Sequence, residues 1–336
     1  MTQAPTPTAD TVRRLVRSLL KESRESRESK ESGEGRGKNG ADGGVSAHGT
    51  AVPDVRPVTE GRAYTWWVGT RHVLRLAPDR EASLRRRREL RLRDIVRPHV
   101  PVPVVVPVSV AHGEWAPGLA CTLDAKVPGG TTDEHDVSAL GEADLAGLLT
   151  GLRAVPVRQA ETLGVPRTAP RSLEALRRMS VHAAERLAAA DEFDPARLHQ
   201  LTSPGAVQLA AQPGSAVLTH HGLAGEHVVV SADGRVRGIL DWTRAVVGDP
   251  AEDIAGLAVA VGSPAAVRAA TLAGYGARPC LRGLWLARCD TVLRLADHLE
   301  GRAPGSLPLL RTQLRRAWEP ILLERVTELK DEETEL

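Results

Sequence analysis

Apolar and polar residues follow two rhythms along the chain: short strand-like runs over residues 55–76, and a three-to-four-residue helical spacing that dominates after residue 137. Ahead of both, residues 10–21 place Val12, Leu15, Val16, Leu19 and Leu20 on one face of a short helix, with Thr8 or Asp10 as its N-cap. The helix, counted as residues 1–21, is expected to stop there. Residues 22–44 mix Glu, Arg, Lys, Ser and Gly without any apolar period, so burial cannot offset their ordering entropy. They read as a mobile, disordered insertion, taken as residues 22–50, whose acidic residues roughly offset its basic ones and argue against an RNA-binding arm.

Strands are predicted over 55–58, 64–68 and 72–76, joined as a meander by glycine-containing turns. Residues 79–96 follow as a helix, with the arginines at 85–88 on a solvated face. A proline-punctuated stretch, PHVPVPVVVPVSV, fits an edge strand or extended segment, and 115–123 supplies a further strand before the turn-rich joint at 126–130. Beyond it, helices are predicted over 137–154, 171–190, 195–210, 251–260, 264–276, 280–299 and 307–329, interrupted by a β segment over 216–240 with a hairpin at 232–235. A small β-rich lobe, 51–125, a hinge, 126–130, and a larger helical lobe, 131–336, imply an α+β protein with a ligand cleft between its lobes.

Composition narrows the choice of partner. A formal charge of +2 over 336 residues gives no reason to expect nucleic acid. The N-terminal residues contain no signal-type apolar segment and the longest apolar runs, such as 104–108, are too short to span a bilayer. Three cysteines, Cys121, Cys280 and Cys289, form neither a disulfide framework nor a zinc set, so a cytoplasmic home is expected.

The chemistry is concentrated in residues 218–258, LTHHGLAGEHVVVSADGRVRGILDWTRAVVGDPAEDIAGLA. Asp241 ends an apolar strand, a placement suited either to holding Mg²⁺ or to capping a turn. His220, His221 and His227 could in principle bind zinc, but their spacing of i, i+1 and i+7 matches no local ligand set. Asp249 and Asp253 flank Pro250, where a helix is expected to begin.

Taken in order, His220, Leu223, His227, the Ile239-Leu240-Asp241-Trp242 segment, Gly248-Asp249-Pro250 and Asp253 resemble the catalytic core of the aminoglycoside and macrolide phosphotransferases, antibiotic kinases with the protein-kinase fold. That family carries H-G-D-L-x-P-x-N or its macrolide-type variant ending in His, then I-D-W, then G-D-P-x-x-D-L-A. The resemblance covers roughly residues 55–330 and implies a bilobal kinase-like fold. It implies that Gly61 lies in the loop over the nucleotide phosphates, that Arg75 pairs with them and that Glu89 holds Arg75. It further implies that the backbone of Lys126 and Val127 meets the purine, and that Asp241 and His227 hold Mg²⁺. His220 would order its loop.

One position departs from the pattern. Where the family carries its catalytic Asp, two residues after His220, this chain has Gly222, and no acidic residue lies between 216 and 225. Gly can neither orient an acceptor hydroxyl nor take its proton, a contribution worth about 10² to 10⁴ in rate. His221 is the alternative base, although a neighbouring strand-end residue is expected to point differently. The resemblance therefore implies transfer of the γ-phosphate of ATP or GTP to a hydroxyl of an antibiotic-like acceptor, with impaired or atypical catalysis. The rival is a pseudokinase-like protein that binds nucleotide or a small ligand without turnover.

Overall fold

The computed structural model describes residues 6–34, 54–58, 64–212 and 214–321. They fall into two compact units, one of Met1–Leu90 with Pro107–Lys126, the other of Arg91–Val106 with Val127–Leu336.

The first unit is built on an antiparallel sheet of β1 (Val55–Pro57), β2 (Thr65–Val68), β3 (His72–Leu76), β4 (Ser109–Ala116) and β5 (Leu119–Ala125), in the order β1-β2-β3-β5-β4. Alternation along the strands buries Trp66, Val68, Leu74 and Leu76 in one core. The strand expected over 115–123 is instead the meeting of β4 and β5. Pro117 and Gly118 turn the chain between them, with Gly118 at φ +76°, where a side chain would be strained. Helix α2 (Arg80–Val96) follows β3, and its arginine run is not wholly solvated: Arg86 turns to Glu89 at 3.5 Å.

Helix α1 (Ala9–Glu34) corrects the expected boundary at residue 21. Val12, Val16 and Leu19 join the sheet core as predicted, but the charged residues that follow remain helical. Their order comes from polar contacts: Ser18 donates to Glu22 at 2.8 Å, Lys21 lies 3.8 Å from Glu25, and Ser23 Oγ donates to the Val110 carbonyl of β4 at 2.9 Å. The rest of the expected insertion, from residue 35 on, lies outside the described residues.

The second unit packs helices α3 (Ala139–Ala154), α4 (Val157–Thr162), α5 (Leu173–Ala189), α6 (Ser203–Gln208), α7 (Ala251–Val261), α8 (Ser263–Leu272), α9 (Ala277–Leu299) and α10 (Leu307–Ala317) around two small ladders. One pairs β6 (Val217–Thr219) with β9 (Val246–Gly248); the other is the predicted hairpin of β7 (Val228–Val230) and β8 (Val236–Ile239). Leu145, Leu148, Leu152, Trp242 and Leu284 lie in its core.

Proline explains two corrections here. The helix expected over 195–210 is a 3₁₀ segment, Pro195–Gln200, followed by α6, which starts anew with Thr202 Oγ1 capping the Gly205 amide at 3.1 Å and Pro204 in its first turn. The last helix ends at Ala317, because Pro320 disfavours helical geometry at Glu319; residues 322–329 lie outside the described residues. Among the described residues no helix is long and apolar enough to cross a membrane.

Candidate functional site

In the first unit, β3 places Arg75 opposite Thr122 of β5, and Asp124 two residues further lies on the same face. Arg75 Nη1 is 3.7 Å from Glu89 Oε1, and its Nε is 3.9 Å from Asp124 Oδ2. Two buried carboxylates therefore flank the basic residue where the sequence suggested one. Asp124 also accepts the Ser109 hydroxyl at 2.8 Å. Its one sequence signal was an acid in an otherwise apolar strand, directly before the turn-rich joint. Lys126 donates its amide to Arg71 O at 2.8 Å and sets its ammonium 4.6 Å from the Trp67 ring centroid. Gly61 lies outside the described residues.

In the second unit, the chain leaves β6 into the segment from His220 to His227. Asp253, in the first turn of α7, is buried, and its two oxygens accept the backbone N–H groups of His220 and His221, each at 2.8 Å. Burial pushes its carboxyl up to about 7 against the opposing pull of those two donors. His220 is fully buried, with Nε2 3.1 Å from the Leu240 carbonyl. A carbonyl only accepts, so Nε2 carries the ring proton. Burial first, and then His227, push the imidazole down to about 3 and keep it neutral.

His227 Nδ1 lies 2.8 Å from the Gly222 carbonyl, to which it donates, and its Nε2 lies 3.6 Å from Glu226 Oε1 and 3.7 Å from Asp241 Oδ2. Asp241 follows β8 at φ +59°, a left-handed conformation that costs a non-glycine residue about 1–3 kcal/mol, and takes a 2.6 Å bond from the Thr243 hydroxyl. A carboxylate and an imidazole thus face each other, a pair that could hold a divalent cation completed by phosphate oxygens. No group of three or more potential ligands occurs among the described residues, so a zinc set of the three histidines is not formed.

His221 is also left-handed, at φ +56°. Together with Gly222 it lines a cavity of about 670 Å³, whose wall includes Arg171, Glu252, Asp290 and Arg244. Burial lowers its pKa; Glu252 opposes that, while Arg244 and Arg171 reinforce it. Gly222 has no left-handed backbone, and a Cβ there would sit 3.6 Å from His220 Nδ1 and 3.7 Å from Arg244 Cδ, which is ordinary contact. Room for a side chain exists.

Arg171 was not singled out in the sequence, yet it clamps Glu252 and Asp290 with four hydrogen bonds of 2.7 to 2.9 Å. Burial opposes its charge, but those two carboxylates outweigh the penalty and hold it protonated. Asp249 caps Ala251 at 3.0 Å and pairs with buried Arg282 at 2.5 Å, so its place is structural.

The fold is that of the kinase-like aminoglycoside phosphotransferases. Residues 54–284 match the family described as "Phosphotransferase enzyme family", and the chain belongs to that family. Among solved structures it is similar to a GDP complex of aminoglycoside 2'-phosphotransferase-IIIa, at 19% identity and TM-score 0.57, covering 80% of this chain and 93% of that one. It is also similar to a macrolide 2'-phosphotransferase from Brachybacterium faecium, at 21% identity and TM-score 0.50, covering 80% and 92%. A spectinomycin phosphotransferase solved with ADP and spectinomycin matches at 9% identity and TM-score 0.53, covering 76% and 85%. Among curated proteins nothing matches.

Proposed function

We propose that this chain is a small-molecule kinase that moves the γ-phosphate of ATP or GTP, with Mg²⁺, to a hydroxyl of an aminoglycoside-like or macrolide-like acceptor. The observation that carries the reading is Asp241 facing Nε2 of His227 across 3.7 Å at a strand end, in a family whose members are phosphotransferases. Bound Mg²⁺ would neutralise charge on the transferred phosphate. Arg75, held by Glu89 and Asp124, would bind the nucleotide phosphates as a fixed cation. The cavity beside Gly222 would take the acceptor, with Arg171 holding Glu252 and Asp290 in fixed positions on its wall.

Gly222 supports a second reading, a nucleotide-binding protein without turnover, since the customary carboxylate base is missing there. Calorimetry with ATP and GTP, with and without Mg²⁺, together with γ-phosphate transfer across an aminoglycoside and macrolide panel, separates the two. Arg75→Ala is expected to weaken nucleotide binding by about tenfold or more, and Asp241→Ala to remove its Mg²⁺ dependence. No nucleotide affinity in the wild type would overturn both readings.

A further inference from the structure

Gly222 leaves the reacting hydroxyl without its customary proton acceptor, and the cavity wall shows which group can replace it. Five carboxylates line the cavity, and each already has a cationic or imidazole partner. Glu252 and Asp290 are clamped by Arg171; Asp133 lies 3.3 Å from Arg316; Asp297 accepts from Arg302 at 2.6 Å; Glu226 lies 3.6 Å from His227. In each case a cation or an imidazole already faces the carboxylate. His227 is committed through Nδ1 to Gly222 O, with Nε2 directed at Asp241.

The ring of His221 is different. It makes no hydrogen bond or ion pair among the described residues, although its backbone amide is fixed by Asp253. The left-handed turn at φ +56° carries its half-buried side chain to the same wall as Gly222. In the family's H-G-D pattern this place belongs to glycine, which adopts such a φ without strain. Here the position bears an imidazole, and the next position has lost its carboxylate.

We propose that His221 is the catalytic base of this kinase, displaced by one residue from the position that Gly222 has vacated. The inference rests on the kinase reading above. In the step, the acceptor oxygen forms a bond to the γ-phosphorus as its proton passes to a free nitrogen of His221. The bond from phosphorus to the bridging oxygen breaks with its electron pair staying on the nucleoside diphosphate. The imidazolium then returns the proton to solvent. The charged groups around the ring are Glu252 of α7, Asp290 of α9, Arg171 ahead of α5, and Arg244 after β8. Burial and the two arginines favour the neutral ring, whose lone pair is available near neutral pH.

The test uses the full chain, Mg²⁺ with ATP or GTP, and two kinds of acceptor: water, read as nucleotide hydrolysis, and the aminoglycoside and macrolide panel. His221→Gly restores the glycine suited to φ +56°, so its unfolding temperature is expected to equal or exceed that of the wild type. Its turnover is expected to fall by about 10² to 10⁴. Added imidazole is expected to restore part of that loss, and the acid limb of the wild-type pH profile is expected to vanish. His221→Gly combined with Gly222→Asp is expected to recover turnover, because the carboxylate is back at the family's position. Unchanged turnover in His221→Gly, or a loss that imidazole does not relieve, overturns the proposal. Nucleotide binding by the wild type with neither hydrolysis nor transfer overturns it too, while leaving the nucleotide site standing. Absence of nucleotide binding marks failure of the kinase reading itself.

Discussion

The backbone amide of His221 donates to Asp253 Oδ1 at 2.8 Å, and through that bond a carboxylate on α7 holds a left-handed residue on the cavity wall. The second oxygen of Asp253 holds His220 in the same way. One buried carboxylate thus sets the course of the loop between β6 and His227, and its protonation state bears on both neighbours.

That carboxylate makes stability depend on pH. Burial raises Asp253 from 3.8 to about 7, so the folded protein binds this proton more tightly than the unfolded chain does. The resulting stabilisation is complete below about pH 3.8 and is lost as the pH rises through about 7. Asp253→Asn does not titrate and provides the reference. The wild-type unfolding temperature relative to Asp253→Asn should therefore decline between about pH 4 and about pH 7 and level off above that. A difference that stays flat across this range would show that the two amide donors keep the carboxylate ionised.

Gly222→Asp should fold normally and restore phosphoryl transfer where His221 is absent. A Cβ at this position makes only ordinary contacts and the backbone needs no left-handed φ, so no strain opposes the substitution. Because His221 already supplies the base, γ-phosphate transfer in the wild-type background should change by less than about tenfold, whereas in the His221→Gly background the same carboxylate should raise it by about 10² or more. A rise of about 10² or more in the wild-type background would mean that His221 is not an effective base.

Breaking the Asp249–Arg282 pair should be costly. Both side chains are almost wholly buried, at 5% and 3% exposure, so Arg282→Met leaves an uncompensated charge in the core. A loss of about 3–5 kcal/mol is expected from urea unfolding, with much of it regained when Asp249→Asn is added.

Helix α1 should be integral to the first unit. Leu19 is 4% exposed and sits in the same core as Trp66 and Leu123. Leu19→Ala should cost about 2–5 kcal/mol in denaturant unfolding, whereas a solvent-facing change such as Arg17→Ala should leave the midpoint nearly unchanged. Equal effects of the two would mean that the helix does not share the sheet's cooperative unfolding.

The sequence by itself determined the elements with a strong local signature. Strand alternation located β2 and β3, glycine and aspartate marked the β7–β8 turn, and the ordered residues from His220 to Asp253 carried the resemblance to the phosphotransferase family. These are short-range features, because side-chain period and turn chemistry are written within a few residues.

Only the tertiary structure decided the rest. The helical spacing over 195–210 concealed a break at Pro204, and the charged continuation of α1 had no apolar period to announce it; its Ser23 is bonded instead to a carbonyl of β4. Asp124 beside Arg75, and Asp290 beside Arg171, come from residues far apart in the chain. His221 turned toward the cavity because Asp253, 32 residues away, fixes its amide in a left-handed bend. Periodicity reports which face of an element is apolar; it carries no term for which distant polar group a buried donor or charge will meet, and those pairings form only as the elements pack.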